Sequence, residues 1–330
     1  MYRVPIPHHD PPATPSPHRD VARTRAAEWA TNLGFFDTGP DGIQVWDREA
    51  YETMDFPGAM ARCHPKATCD ELVLLTEWFV WVFFFDDDCL KRFKDTGNIK
   101  AARRALDRLG HFTPLNSVTP HTPENGLERG LLDLWERTIG PMSLPWRQRF
   151  ASDTQDMLQD TIAEMVNTVT GRTPNPIDYL DIRRTSGGSL WVADLIEHER
   201  RREISPSIIR TRPVRVLREA FADGVHLLND LYSYPREINR ERERTNSVLV
   251  LQHVTGCTPQ QAADAVNTVR SARLAQFEQI ITEDLPDLAD RHHLSSDQRK
   301  ALFTVAAALR TWQDGITEWH QRSSRYQETS

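Results

Sequence analysis

The stretch FFFDDDCLK, residues 83–91, places three phenylalanines directly before three aspartates. It ends an apolar run, residues 72–85, that contains Thr76 and Glu77 and is too short to span a bilayer. Such a run predicts a buried core helix. Adjacent carboxylates repel one another, and burial against aromatic rings raises the free-energy cost of keeping them charged. The stretch therefore predicts a core helix whose last turn binds a cation.

The direction of each acid follows from helix geometry. At about 100° per residue, Phe79, Phe83 and Asp86 share one face of the helix. Asp87 and Asp88 turn progressively away from that face, so the three acids cannot all bind the same ion. We predict that Asp86 is a metal ligand and that Asp87 is a second ligand or the partner of an arginine.

The overall composition is that of a soluble globular protein, because 39% of residues are hydrophobic and 26% are charged. The net charge of −7 gives no general attraction to nucleic acid or anionic lipid, so we expect neither nucleic-acid binding nor membrane insertion. The four cysteines lack the spacing of a metal site, and the start of the chain carries no secretory signal. We therefore expect reduced thiols and a cytoplasmic location.

Helical spacing extends over nearly the whole chain after a short tail. Residues 1–20 are rich in proline and histidine without an apolar period, and they predict a disordered tail. The remainder predicts one all-α domain, residues 21–330, with a mobile C-terminal end. Thr258 and Ser295 have the sequence signature of helix N-caps. The predicted helices are 70–94, 126–137, 145–170, 175–198, 213–244, 258–273, 274–281 and 295–322.

A second polar group lies in LLNDLYSYPRE, residues 227–237. Asn229, Ser233 and Glu237 are spaced i, i+4 and i+8, so an amide, a hydroxyl and a carboxylate lie on one helix face. These hard oxygen ligands suit Mg²⁺ rather than zinc, and Mg²⁺ so held keeps waters and accepts phosphate oxygens. Pro235 removes a backbone donor within the stretch and predicts a kink.

The two motifs, in this order, resemble those of the bacterial class I terpene synthases, and the resemblance extends from about Arg23 to Tyr326. The segment IRRTSGG, residues 182–188, is similar to the diphosphate-sensing segment of that family. The resemblance implies that Arg183 is the sensor, Ser186 the linker and Gly187 the effector at a helix break.

Three further residues match basic and hydroxyl groups of the family. Arg325 and Tyr326 resemble a terminal pair that closes over the diphosphate. Arg236 stands where the family usually has a basic residue facing the same group. The resemblance thus implies that these side chains bind the diphosphate of the substrate.

The resemblance also implies a fold, a cofactor and a reaction. The fold would be a single-domain class I terpenoid synthase bundle around a central active-site cavity, and the cofactor would be Mg²⁺, with three ions. The reaction would ionise a linear prenyl diphosphate, most simply farnesyl diphosphate, and cyclise it to a sesquiterpene hydrocarbon or alcohol with release of diphosphate. The enzyme would be a carbon–oxygen lyase acting on phosphates.

A carbocation formed in this way needs a dry pocket of groups that do not react with it. Aromatic faces stabilise cations without offering a lone pair. Phe79 and Phe83 share the face of Asp86, and Trp312 and Trp319 share a face of the last helix, so we predict these four as pocket walls. His320 is an alternative late proton acceptor, although the released diphosphate is the better base.

The first motif departs from the pattern of the family. An acid usually follows the leading pair after three to five residues, but this chain has Cys89, Leu90 and Lys91 there. Helix geometry turns Lys91 about 140° away from Asp86, so we expect it to face solvent. Whether Asp88 substitutes for the missing acid is an open alternative.

Other functions stay open from the sequence. A diterpene cyclase acting on geranylgeranyl diphosphate would share all of these motifs. A chain-elongating prenyl diphosphate synthase would need a second aspartate-rich motif, where this chain has asparagine, serine and glutamate. A non-catalytic metal- or lipid-binding protein would not need several arginines directed at a diphosphate. The oligomeric state is expected to be monomer or homodimer.

Overall fold

The computed structural model of the chain describes residues 2–5, 14–116 and 119–327. Within these ranges the backbone forms helices without any β-strand, and one isolated bridge joins Thr38 to Gln44. The all-α prediction is confirmed. The α-helices are α1 (Arg19–Asn32), α2 (Arg48–Met54), α3 (Phe56–Cys63), α4 (Cys69–Cys89), α5 (Ile99–Leu109), α6 (Gly126–Ile139), α7 (Leu144–Thr170), α8 (Pro176–Ser186), α9 (Ser189–Arg200), α10 (Pro206–Ile209), α11 (Arg212–Arg236), α12 (Ser247–Thr255), α13 (Pro259–Gln279), α14 (Leu285–Arg291) and α15 (Ser296–Arg322).

The central helix is α4, and its sequence explains its position. It is apolar on nearly every side, so it is stable only when neighbours cover it all round, and it packs against α1, α3 and α6. Trp78 Nε1 donates to Thr138 Oγ1 at 2.8 Å, and Trp81 Nε1 donates to Leu127 O at 2.9 Å. The predicted buried core helix is confirmed. In the described part of the chain, no helix has the length and apolarity of a membrane span.

Local signals set several helix starts. Thr68 begins α4 with a capping box, in which its hydroxyl accepts from the backbone of Glu71 and the Glu71 carboxylate accepts in return. The predicted N-caps at Thr258 and Ser295 are confirmed and form capping boxes of the same kind. The prediction of two helices over 258–281 is wrong, because α13 continues without a break to Gln279.

Turns of π-helix follow both predicted metal motifs. Leu90–Lys94 continues α4, and Glu237–Glu241 continues α11 beyond Pro235. Each π turn holds one residue more than an α turn, so the side chains beyond it are displaced around the helix. The predicted α-helices 70–94 and 213–244 therefore end earlier, at Cys89 and Arg236.

The predicted helix 175–198 is interrupted at its middle. Helix α8 ends at Ser186, and α9 begins at Ser189. Gly188 has φ of 75°, in the left-handed region that glycine adopts without a steric penalty. The break therefore lies where the family resemblance implies it, and it leaves Arg183 on the last turn of α8.

A buried ion cluster joins α7, α9 and α11. Asp194 accepts from Arg149 Nε at 2.7 Å and from Arg218 Nη1 at 2.8 Å. Arg218 also donates to Asp153 at 3.0 Å, and Arg149 lies 2.8 Å from Glu197. Burial, together with the charge of Asp194, raises the pKa of Asp153 to about 8. Two arginines thus face three carboxylates, and the cluster retains a proton near neutral pH.

The ends of the chain lie partly outside the described residues. Of the predicted disordered tail, residues 1–20, residue 1 and residues 6–13 are outside them, whereas Tyr2 Oη donates to Leu231 O at 2.7 Å. Helix α1 begins at Arg19, two residues before the predicted domain start. At the other end, Ser324–Tyr326 form a short 3₁₀ turn, and residues 328–330 are outside the described residues.

Candidate active site

A cavity lies between α4, α7, α8, α9, α11 and α15. Its lining contains all the predicted site residues apart from Asp87 and Ser233. The structure therefore brings together side chains that are up to 247 positions apart in the chain. The predicted residues in the lining are Phe79, Phe83, Asp86, Arg183, Ser186, Gly187, Asn229, Arg236, Glu237, Trp312, Trp319, Arg325 and Tyr326.

The first two aspartates of the DDD motif have different environments. The Asp86 side chain is 64% exposed and lines the cavity. Asp87 instead accepts two hydrogen bonds from Arg325, Nη1 to Oδ2 at 2.7 Å and Nη2 to Oδ1 at 2.8 Å. Trp46 Nε1 donates a third at 2.7 Å. Asp87 was predicted to be either a second metal ligand or the partner of an arginine, and in the structure it is the partner of Arg325.

Asp88 lies on the side of α4 away from the cavity. Its carboxylate pairs with Arg92 Nε at 2.7 Å, and it does not belong to the cavity lining. Asp88 therefore does not stand in for the missing distal acid. Lys91 is exposed and donates to Val45 O at 2.7 Å, which confirms its predicted direction.

In the second motif, Asn229 and Ser233 lie on α11, and Glu237 begins the π turn that follows it. Asn229 Oδ1 accepts from Arg183 Nη2 at 2.9 Å. Ser233 Oγ is fully buried and has no hydrogen-bond partner within the described residues. Glu237 Oε2 accepts from Asn246 Nδ2 at 2.9 Å. Burial, with the neighbouring charge of Glu241, raises the pKa of Glu237 to about 8.

The predicted sensor segment is held by acids on two helices. Arg183 Nε donates to Asp230 Oδ1 at 3.1 Å, and its Nη1 lies 3.8 Å from Glu164. Ser186 Oγ donates to Glu164 Oε1 at 2.6 Å. These contacts orient the guanidinium of Arg183 toward Asn229, so the sensor lies directly beside the second motif.

A neighbouring ring leaves no space for a side chain at Gly187, and the sequence did not indicate this contact. A Cβ atom at this position would lie 2.1 Å from Cε1 of His226, so no other residue fits without movement. His226 is 5% exposed and lines the cavity, and its Nε2 has no partner among the described residues. Burial, reinforced by the charge of Arg183, lowers the pKa of His226 well below its usual range, so the ring is neutral.

The C-terminal residues close one side of the cavity. The Arg325 side chain is 3% exposed because it lies against α4, and Tyr326 Oη accepts from Asn229 Nδ2 at 2.8 Å. Arg236, at the end of α11, pairs with Glu241 at 2.8 Å. All three side chains predicted to bind a diphosphate therefore line one cavity with the sensor.

The four aromatic residues predicted as pocket walls all line the cavity. The rings of Phe79 and Phe83 lie 4.8 Å apart, and both lie within 5.5 Å of Trp319. Trp312 also lines the cavity. Phe85 lines the cavity as well.

Four charged residues of the lining were missed by sequence reasoning: Lys94, Glu164, Glu241 and Glu243. Glu241 continues the i+4 spacing of the second motif, and this signal could have identified it. The position of Lys94 depends on the π turn, which the apolar pattern does not indicate.

The residues present fit Mg²⁺ by their chemistry. The site offers one open carboxylate at Asp86, a buried carboxylate at Glu237 and an unpartnered hydroxyl at Ser233, and all are hard oxygen donors. No group of three or more acid, histidine or cysteine side chains in the described ranges could hold an ion alone. A metal at this site would therefore also need neutral oxygen ligands, such as those of Asn229 and Ser233.

Comparisons with known proteins agree with this site. The family model "Terpene synthase family 2, C-terminal metal binding" matches residues 77–276. The 7-epi-alpha-eudesmol synthase of Streptomyces viridochromogenes is 28% identical over 94% of this chain and 88% of its own. The (2Z,6E)-hedycaryol synthase of Kitasatospora setae is 29% identical over the same shares. The crystal structure of an a-eudesmol synthase covers 98% of this chain and 100% of its own, with 26% identity and a TM-score of 0.82. Because the matched family region contains both metal motifs and the sensor segment, the chain belongs to the terpene synthase family and has its class I helical fold.

Proposed function

We propose that this enzyme ionises farnesyl diphosphate and cyclises it to a sesquiterpene hydrocarbon or alcohol. The observation that carries the proposal is the single cavity in which oxygen ligands, arginines and an aromatic wall meet. The related 7-epi-alpha-eudesmol synthase is named as cyclising (2E,6E)-farnesyl diphosphate, which supports a fifteen-carbon substrate.

Asp86 on one side, and Asn229, Ser233 and Glu237 on the other, would hold Mg²⁺. When bound, Mg²⁺ neutralises the diphosphate and makes it a better leaving group. The unpartnered hydroxyl of Ser233 and the raised pKa of Glu237 support this assignment, because a cation would satisfy the first and offset the buried charge of the second. The number of ions, three, rests on the family resemblance.

The arginines bind the diphosphate as the carbon–oxygen bond breaks. In the structure Arg183 is paired with Asp230, Arg236 with Glu241 and Arg325 with Asp87. Each carboxylate fixes its guanidinium at the cavity wall, and a guanidinium has five N–H donors, so some remain for diphosphate oxygens. Tyr326 adds a hydroxyl beside them, so the developing negative charge meets donors that are already oriented.

The remaining wall protects the carbocation. Phe79, Phe83 and Trp319 present ring faces or edges without a reactive lone pair. His320 is kept neutral, because burial lowers its pKa to about 3. Its Nδ1 lies 2.8 Å from Ile316 O and its Nε2 lies 3.2 Å from Asn229 Nδ2, so both ring nitrogens are engaged. This arrangement favours the released diphosphate over His320 as the final base.

Product analysis tests the proposal. The purified protein is incubated with Mg²⁺ and, separately, ten-, fifteen- and twenty-carbon prenyl diphosphates, and volatile products are identified by gas chromatography–mass spectrometry. We expect a cyclic sesquiterpene from the fifteen-carbon substrate. A cyclic product from only the twenty-carbon substrate would indicate a diterpene cyclase, longer diphosphates would indicate elongation, and no turnover would indicate a binding protein. The cytoplasmic location and the oligomeric state stay predictions.

A further inference from the structure

Lys94 reaches the cavity because of the π turn after α4. It lies eight residues after Asp86, and on an undisturbed α-helix this spacing would place the two side chains about 80° apart. The extra residue in Leu90–Lys94 brings Lys94 close to the face of Asp86, and both side chains line the cavity. Lys91, in the same turn, is exposed.

The ammonium group of Lys94 pairs with Glu243 in a buried junction. The two side chains are 11% and 7% exposed. Glu243 also accepts from Thr168 Oγ1 at 2.9 Å and from the backbone N–H groups of Arg244 at 2.6 Å and Thr245 at 2.7 Å. The π turn after the first motif, the end of α7 and the loop after the second motif therefore meet at one carboxylate, which contacts one ammonium and three hydrogen-bond donors.

The loop that Lys94 anchors carries the residue that orients Glu237. Glu243 N donates to Glu237 O at 3.1 Å. Three residues further on, Asn246 Nδ2 donates to Glu237 Oε2 at 2.9 Å and to Asp230 O at 3.1 Å. Hydrogen bonds from outer residues fix the direction of ligating carboxylates and tune metal affinity.

We propose that Lys94 is a positioning residue for metal binding. Its ion pair with Glu243 fixes the loop 242–246, so that Asn246 holds the Glu237 carboxylate across the cavity from Asp86. The junction links the two metal motifs directly, in a chain whose first motif has no acid at residues 89–91. This inference rests on the proposed metal site, and the experiment separates the two.

The experiment counts bound Mn²⁺ by electron paramagnetic resonance of the free ion, with inorganic pyrophosphate present. The variants are Lys94→Met, Glu243→Gln and their double variant, with Lys91→Met as the control from the same turn. We expect Lys94→Met and Glu243→Gln each to weaken Mn²⁺ binding about tenfold, as removal of an outer hydrogen-bonding partner does. The double variant should be no weaker than either single variant, because both remove one interaction.

Further variants separate positioning from a general loss of structure. Lys94→Arg, which keeps the charge, should recover most of the affinity, and Lys91→Met should leave it unchanged. Thermal unfolding of each variant without metal reports the folded fraction. If Lys94→Met does not fold, Thr168→Val, which removes one donor from Glu243, should weaken binding on the order of threefold.

Three outcomes would contradict the inference or its basis. Weaker binding in Lys94→Met but not in Glu243→Gln would mean that Lys94 contacts the pyrophosphate directly. Unchanged binding in both, with binding lost in Asn229→Ala, would make the junction structural only and leave the metal site in place. Unchanged binding in Asn229→Ala as well would overturn the metal site itself.

Discussion

Arg325 and Asp87 form a bidentate ion pair that joins the C-terminal turn to the first metal motif. The two N–O distances are 2.7 and 2.8 Å, and the guanidinium carbon lies 4.7 Å from the centre of the Phe83 ring. Although Asp87 is buried, Arg325 lowers its pKa, so the pair is ionised. The turn Ser324–Tyr326 is therefore held against the cavity by a contact that needs the planar guanidinium of arginine.

Replacing Arg325 with lysine should impair closure of the cavity. Lysine keeps the charge but cannot donate to both oxygens of Asp87 and lies differently on Phe83. We expect turnover to fall at least about tenfold and the share of acyclic alcohol among the products to rise, because water reaches the carbocation. Product ratios from gas chromatography–mass spectrometry measure this. The control is Arg322→Lys, whose exposed side chain pairs with Glu318; equal product purity in the two variants would remove Arg325 from the closure.

Asp86 and Asp88 provide a matched test of the first motif. Asp86→Ala should lower kcat by about 10²–10³-fold, because it removes the open carboxylate of the cavity. Asp88→Asn should retain turnover within a few-fold, because Asp88 pairs with Arg92 outside the cavity. Steady-state rates at saturating Mg²⁺ and farnesyl diphosphate make the comparison. Comparable losses in both variants would show that Asp88 serves the site after all.

Periodicity was sufficient to predict the parts of the site that lie on regular helices. The apolar pattern around residues 72–85 requires burial on all sides, and this predicts both α4 and the common face of Phe83 and Asp86. The i, i+4 spacing of Asn229 and Ser233 likewise survives in the structure, because α11 is regular up to Arg236. In these segments, each side chain direction follows from its position alone.

The other parts of the site could not be predicted from periodicity, because they depend on departures from the regular helix. The π turn that directs Lys94 into the cavity depends on packing around it, and the apolar pattern of the sequence does not indicate it. The break between α8 and α9 came from the family resemblance and not from periodicity, which predicted one helix over 175–198. Gly187, in the break after α8, contacts His226 of α11, 39 positions away, and a single sequence contains no signal for this contact.

Gly187→Ala should destabilise the protein through this contact. The new Cβ would collide with the His226 ring, and such overpacking costs about 1–3 kcal/mol of unfolding free energy. Chemical denaturation without metal measures it. Gly140→Ala is the control, because Gly140 is likewise the C-cap of its helix and its Cβ would meet only Glu136 O at 3.8 Å. Adding His226→Ala to Gly187→Ala should cost less than the sum of the single effects; strict additivity would show that the ring is not the obstacle.

The ion cluster of α7, α9 and α11 should make stability depend on pH independently of the metal site. The folded-state pKa of Asp153, about 8, lies above its value near 4 in the unfolded chain, so the folded protein binds more protons between these values. The contribution of this proton is complete below about pH 4 and is lost as pH rises through 8. Metal-free wild type should therefore unfold at lower temperature at pH 8.5 than at pH 6.

Asp153→Asn isolates the contribution of this carboxyl. The amide keeps an oxygen that can accept from Arg218, at 3.0 Å from Asp153 in the structure, but it has no proton to lose. We expect the variant to lose less stability than wild type between pH 6 and 8.5, with the difference measured by calorimetry in the absence of divalent ions. Asp287→Asn, an exposed acid of α14 that pairs with Arg291 outside the cluster, is the control. Identical pH slopes in wild type and Asp153→Asn would contradict the assignment of the proton to Asp153. The proton would then reside on Glu197, whose pKa burial raises to about 7, and Glu197→Gln rather than Asp153→Asn would reduce the loss of stability between pH 6 and 8.5.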